Sequence, residues 1–314
     1  MNRNKLKIVF MGTPSFAIPA LKLIFENGYE PIAVYTQPDR INGRGKKINF
    51  SPVKTFALEK NIPVYQPLCF GEEELTQLKN LQPDLLIVIA YGKILPKAVL
   101  DIPAYGAINV HASLLPQYRG AAPIQRAIID GKTETGITIM KLDVGMDTGD
   151  MLIQKKVQIT PHMTAGELFD LLSKQGAQLL VKILSNLPYY LKNAIPQIEE
   201  NATYAEKITK SMGKISWDQE AQVLDSLCRG IYPSPGAYAF FRGKRVKIHK
   251  TTYEPNDKKN VMPGTIVSLE NQIISVQTKN GLLKIIEIQP ENHKKMSAAD
   301  FINGYQVKIN DQLE

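Results

Sequence analysis

Only two cysteines, four histidines and one tryptophan occur among the 314 residues. Cys69 and Cys228 lie far apart and outside any metal-ligand spacing. This rules out a disulfide framework and a cysteine zinc site, and two reduced thiols are expected. No apolar run reaches the roughly 18 residues a membrane-crossing helix needs; the limit is "LLIVIAY", Leu85 to Tyr91. The first apolar stretch, "KIVFMG", begins a few residues after Met1 and leaves no room for a signal peptide, so the expected location is cytoplasmic, with no membrane partner. A dinucleotide fingerprint is missing too: "MGTPSFAIPAL" offers one glycine, Gly12, where three are needed, and no Walker lysine follows. Hydride transfer and ATP-dependent chemistry lose their best support.

What remains is an ordinary globular composition, 44% apolar and 22% charged, on a chain long enough for two domains. Lys and Arg number 38 against 30 Asp and Glu, a formal charge of +8. Residues 207–314 carry 16 basic and 11 acidic side chains, whereas 1–206 carry 22 and 19, so the shorter part is the more basic. A polyanionic partner is the first expectation from such a balance.

From Lys5 to about Thr160, apolar strand-like runs ("KIVFMG", "PIAVYT", "IPVYQP", "DLLIVIAY", "GAINVHA") alternate with helical stretches near 14–27, 51–60 and 71–81. Continuously apolar strands alternating with helices predict an α/β, doubly wound, mostly parallel sheet covered on both faces. "GITIMKLD" and "DMLIQKKVQI" add two further strands, and leucines and isoleucines at helical spacing predict a long helix over 164–185. The expected domains are 1–188 and 207–314, joined by a connecting segment, 189–206. After a helix near 218–230, five short strands separated by "RGK", "MPG" and "KNG" predict a smaller C-terminal β-barrel of OB-like type, although a β-sandwich fits the pattern nearly as well.

Candidate chemistry begins in "AINVHASLLPQYRG". Period-two alternation puts Asn109 and His111 on one strand face at the carboxyl end of a strand, where open α/β sheets bind ligands. An amide donor beside an imidazole suits oxyanion stabilisation and proton movement. "LDVGMDTGD" holds Asp143, Asp147 and Asp150. Acids beside glycines usually form turns, but one of them could orient His111, since the two loops would open on the same sheet edge if their strands are parallel. The sharp break at "SLLPQ" predicts a cis Leu115–Pro116 bond. Arg119 is left open between contacting a substrate phosphate and capping a helix. "QPDRINGRGKKINFSPVK" sets five cations against one anion around Gly43 and Gly45, and Arg44, Lys46 and Lys47 make it a candidate for a phosphate backbone. "RGKRVKIHK" alternates Val246 and Ile248 with Arg245 and Lys247, giving one apolar and one cationic strand face.

Taken together, "NVHASLLPQYRGAAPIQRAI", "GITIMKLDVGMDTGDML", "FMGTPSFA" and "TQPDRINGRGKKINFSPVK" resemble the methionyl-tRNA formyltransferase family over nearly the whole chain. The resemblance implies a Rossmann-like formyltransferase domain and a C-terminal tRNA-binding domain. It implies transfer of the formyl group of 10-formyltetrahydrofolate to the α-amino group of initiator methionyl-tRNA; that chemistry needs no metal, and a monomer is expected. On this likeness Asn109, His111 and Asp147 are catalytic. Ser113, Leu114, Leu115 and Pro116 line the folate site, and Arg44 meets the tRNA acceptor end. Ala112 stands where relatives often carry glycine. The competing readings are a formyltransferase for a small amine, a non-catalytic RNA-binding protein of the same fold and, more weakly, a nicotinamide enzyme.

Overall fold

The structure is a computed structural model that describes residues 6–42, 47–255 and 261–314. The chain divides into two compact units. The first takes residues up to Gly120, Thr135–Val157 and Phe169–Tyr204; the second takes Ala121–Glu134, Gln158–Leu168 and Ala205–Glu314.

The first unit is built on a seven-stranded sheet. Its strands are β1 (Ile8–Gly12), β2 (Ala33–Tyr35), β3 (Val64–Tyr65), β4 (Leu85–Ile89), β5 (Ala107–His111), β6 (Glu134–Lys141) and β7 (Met151–Gln158), in the order β7-β6-β5-β4-β1-β2-β3. The pairs β1/β2, β1/β4, β2/β3 and β4/β5 are parallel. The expected α/β, mostly parallel sheet is therefore present. The expected strands are buried along their whole length in β1, β2 and β4, which is why both residue parities are apolar there. Val9, Met11, Tyr35, Leu86 and Val88 pack with Leu78 and Val99 from the helices Glu72–Asn80 and Lys97–Leu100. Behind β5, Gly176 of the long helix Ala165–Leu184 lies so close that a Cβ there would meet Val110 Cγ1 at 2.7 Å.

One premise fails. β5 and β6 are antiparallel, with Ile108 opposite Lys141 and His111 opposite Thr138. The loops after them thus leave the sheet at opposite ends, and shared strand direction cannot bring Asp147 to His111. Residues 40–42 and 47–49, within the basic stretch, pair as a separate two-stranded antiparallel ladder. Arg44 and Lys46 lie outside the described residues, and so does the side chain of Lys47.

The second unit is an antiparallel sheet of β8 (Ala237–Phe241), β9 (Lys244–Glu254), β10 (Ile266–Ser268), β11 (Ile274–Gln277), β12 (Leu282–Pro290) and β13 (Met296–Ser297), ordered β8-β9-β12-β11-β10 with β13 on β12. The last residues bridge toward both edges, Phe241 to Leu313 and Thr265 to Gln312, which closes the sheet in the manner expected of the OB-like barrel. Alternate residues of β8 and β9 (Ala237, Ala239, Phe241, Val246, Ile248) enter the core with Leu224 and Cys228 of the helix Ala221–Gly230. That helix also packs on Pro123–Ile129: a Cβ at Gly230 would lie 2.5 Å from Ile129 Cγ1. This close approach gives a segment from the N-terminal half, 121–134, its place in the second unit.

Candidate functional site

β5 delivers the first two groups. Val110 turns toward Gly176, so Asn109 and His111 share the opposite side of the strand. Asn109 is partly buried, and its amide makes no hydrogen bond among the described residues. His111 is 5% exposed. Its Nε2 lies 2.9 Å from the Tyr118 carbonyl oxygen. A carbonyl can only accept, so this nitrogen carries the proton, and Nδ1 is the ring edge left for other chemistry.

Nδ1 faces Asp147, with Oδ2 at 3.6 Å. The separation exceeds a hydrogen bond, yet a third atom can lie about 2.8 Å from both. The three acids of "LDVGMDTGD" divide their work. Asp143 forms the turn, accepting from Gly145 N–H at 3.0 Å and Thr148 Oγ1 at 2.6 Å. Asp150 pairs with Lys141 at 3.5 Å. Asp147 alone reaches His111, and its Oδ2 accepts from Gly120 N–H at 2.8 Å. Its own backbone is in the left-handed region, φ 56°.

The turn after β5 contains the expected cis Leu115–Pro116 bond. Ser113 and Leu115 are buried and Leu114 and Pro116 partly so. Ser113 Oγ donates to Gln117 O at 2.5 Å. Thr138 Oγ1 donates to Ser113 O at 2.7 Å and accepts from Leu115 N–H at 3.1 Å, while Gln154 Nε2 donates to Leu115 O at 2.8 Å. Thr138 of β6 and Gln154 of β7 thereby staple 113–115 to the sheet. Neither was singled out in the sequence; a polar residue within an apolar strand, as in "GITIMK", is the signal that could have marked Thr138.

Arg119, left open in the sequence, is committed within the protein. Its side chain is fully buried, with Nη1 donating to both carboxylate oxygens of Glu199 at 3.0 and 2.9 Å and Nε donating to Gln197 Oε1 at 3.0 Å. Gln197 and Glu199 come from the segment 189–206 read as a connector.

In the second unit, Arg245 and Lys247 project from β9 on the side away from buried Val246 and Ile248, opposite Phe240 and Tyr238 respectively. The Arg245 guanidinium lies 3.9 Å from the centre of the Tyr238 ring, and Lys214 Nζ 5.6 Å from that of Phe240. Cations and aromatic rings thus interleave on one surface. In the basic stretch of the first unit, Lys54 is already engaged: its Nζ pairs with Asp39 at 2.5 Å and donates to Gln66 at 2.8 Å. That ion pair holds the Asp39 carboxyl below its ordinary range. Among the described residues no group of three or more His, Cys, Asp and Glu is arranged to hold a metal, and no helix is long and apolar enough to cross a membrane.

Fold and site together define a formyl-transferring enzyme: residues 6–184 match the family described as formyl transferase, and 207–306 match the formyl transferase C-terminal domain. Solved structures support the fold. HypX from Aquifex aeolicus in complex with tetrahydrofolic acid aligns with a TM-score of 0.62 at 16% identity, covering 98% of this chain and 48% of that one. An N-formyltransferase from Helicobacter canadensis, solved with folinic acid and dTDP-3-aminofucose, gives 0.66 at 19% identity over 91% of this chain and 99% of that one. The curated methionyl-tRNA formyltransferase of Clostridium perfringens (strain 13) is 50% identical over 98% of this chain and all of its own length, and that of Alkaliphilus oremlandii is 46% identical over 95% and 96%. The chain belongs to the methionyl-tRNA formyltransferase family.

Proposed function

We propose that the protein transfers the formyl group of 10-formyltetrahydrofolate to the α-amino group of initiator methionyl-tRNA. The observation that carries this reading is identity near one half along 98% of the chain with a protein of that name, second unit included. A small-amine formyltransferase has no need of the cation and aromatic face on β8 and β9. A nicotinamide enzyme has no support from Gly12 alone.

The folate donor supplies an electrophilic formyl carbon. The chain offers the 113–116 turn as one wall for it, held rigid by Thr138 and Gln154. Val144 and Met146, 67% and 57% exposed beside Asp147, offer apolar surface that a ring could cover. Attack by the neutral methionyl amine puts negative charge on the formyl oxygen and positive charge on nitrogen. Asn109, its amide uncommitted, donates to that oxygen, and His111 in its protonated form donates from Nδ1, because Tyr118 occupies Nε2. Asp147, 3.6 Å from that nitrogen, keeps the ring oriented and receives the proton the amine must lose, directly or through water. Collapse of the tetrahedral intermediate then breaks the bond between the formyl carbon and the folate nitrogen, which takes up a proton as tetrahydrofolate leaves, and no covalent bond to the enzyme is required. Arg245, Lys247, Lys46 and Lys47 bind the tRNA, and Arg44 meets the acceptor end.

Incubation with 10-formyltetrahydrofolate and charged initiator tRNA, scoring formylmethionine, tests this directly. Formylation that falls steeply as salt is raised is expected, because phosphate contacts release counterions. Preference for a small amine with a salt-indifferent rate would overturn it, as would RNA binding without product.

A further inference from the structure

Asp147 itself lies outside regular secondary structure. It lies in the loop after β6, with a left-handed backbone that is unfavourable for a non-glycine residue. The loop's main-chain carbonyls at Asp147 and Gly149 are held by one side chain. Gln197 Nε2 donates to the carbonyl oxygens of both Asp147 and Gly149, each at 2.8 Å. An amide can do this only with its nitrogen turned to the loop, and Arg119 enforces that turn: a guanidinium is donor only, so it demands Oε1 of Gln197 on its side. Arg119 is in turn fixed by Glu199 and by its own N–H, which donates to Thr203 O at 2.8 Å. Its neighbour Gly120 donates to the Asp147 carboxylate. The dipeptide Arg119–Gly120 therefore grips Asp147 at both ends, the carboxylate directly and the main chain through Gln197.

We infer that Arg119 and Gln197 are positioning residues for the formyl transfer, holding the Asp147 carboxylate against His111 Nδ1. A buried guanidinium is a poor investment in stability by itself, since removing it from water offsets much of what its ion pair returns. Fixing a reacting group is a better reason for it, because misplacement by about 1 Å can cost up to about 100-fold in rate. The inference rests on the role given to Asp147.

Gln197→Leu is the test. Gln197 is only partly buried and Leu is of similar size, so the variant is expected to fold although it leaves Arg119 Nε without its acceptor. The expected result is a fall in kcat of about tenfold or more with KM for tRNA and folate changed by less than about twofold. The double variant Gln197→Leu/Asp147→Asn should turn over within about twofold of Asp147→Asn alone, since the amide acts through a carboxylate already gone. A purely structural Gln197 predicts that the two losses multiply, and that outcome overturns the inference; so does wild-type kcat in Gln197→Leu. Should that variant not fold, Arg119→Lys takes its place: it keeps a cation at Glu199 and removes the donation to Gln197, with the same pattern expected and the same results fatal. Asp147→Asn alone separates the two claims. A slow Asp147→Asn beside a fast Gln197→Leu defeats only the positioning role, whereas a fast Asp147→Asn defeats the assignment beneath it.

Discussion

His111 Nδ1 and Asp147 Oδ2 meet at 3.6 Å although β5 and β6, the strands that lead to them, run antiparallel. The meeting is made by loops. The turn after β5 supplies the Tyr118 carbonyl that occupies Nε2 and the Gly120 N–H that holds the carboxylate. The loop after β6 folds back to deliver Asp147 between them.

From that geometry, His111→Ala and Asp147→Asn should each lower kcat by roughly 100-fold or more, since each removes a group from the charged transition state. Single-turnover formylation of charged initiator tRNA measures it. A variant at near-normal rate would take that residue out of the mechanism.

Gly136 bears on the folate side. A Cβ there would lie 2.3 Å from Lys155 O and 2.4 Å from Leu114 Cδ2, too close to be accommodated without movement. Gly136→Ala should lose about 1–3 kcal/mol of stability. Because the Leu114 side chain must give way along with the Lys155 carbonyl, KM for the folate donor should rise as well. Urea unfolding and folate titration report the two effects; an unchanged KM would detach Leu114 from the folate site.

Lys247→Ala in β9 should raise KM for tRNA while leaving kcat at saturation within about twofold, and should reduce the slope of log KM against log salt by about one unit if one phosphate contact is lost. Arg245→Ala should do the same and also unstack Tyr238. A salt slope identical to wild type in both would remove this face from tRNA binding.

His249 provides a pH signature. Burial pushes its pKa below the ordinary 6.5, partly offset by the hydrogen bond with Gln289. The unfolded chain then binds this proton more tightly than the folded one, so the contribution is whole above pH 6.5 and is lost as pH falls below it, until the folded group also protonates. The urea midpoint should drop between pH 7.5 and pH 5.5 by more in the wild type than in His249→Gln. Equal drops would show that other groups carry the dependence.

The thiols should separate cleanly. Cys69 is exposed, whereas Cys228 is buried and burial pushes its thiol up to about 12. A thiol reagent at pH 8 should label one cysteine per native chain and two after denaturation. Rapid labelling of both in the native protein would mean that the core around the helix Ala221–Gly230 opens.

The parallel strands, the helices between them and the short strands of the second unit were legible because each is a local pattern: apolar residues recur at the period of the element that buries them. The pairing of Asn109 with His111 was legible for the same reason, since period two makes them neighbours on a face whatever the rest of the chain does. Nothing local separates Asp147 from Asp143 and Asp150, or tells that Arg119 is buried on Glu199. Likewise Gln197, in a stretch that reads as a connector, gives no local sign that its amide holds the Asp147 loop. Those roles arise when distant segments close on one another and each buried donor must find its acceptor, a requirement that only the folded chain can satisfy.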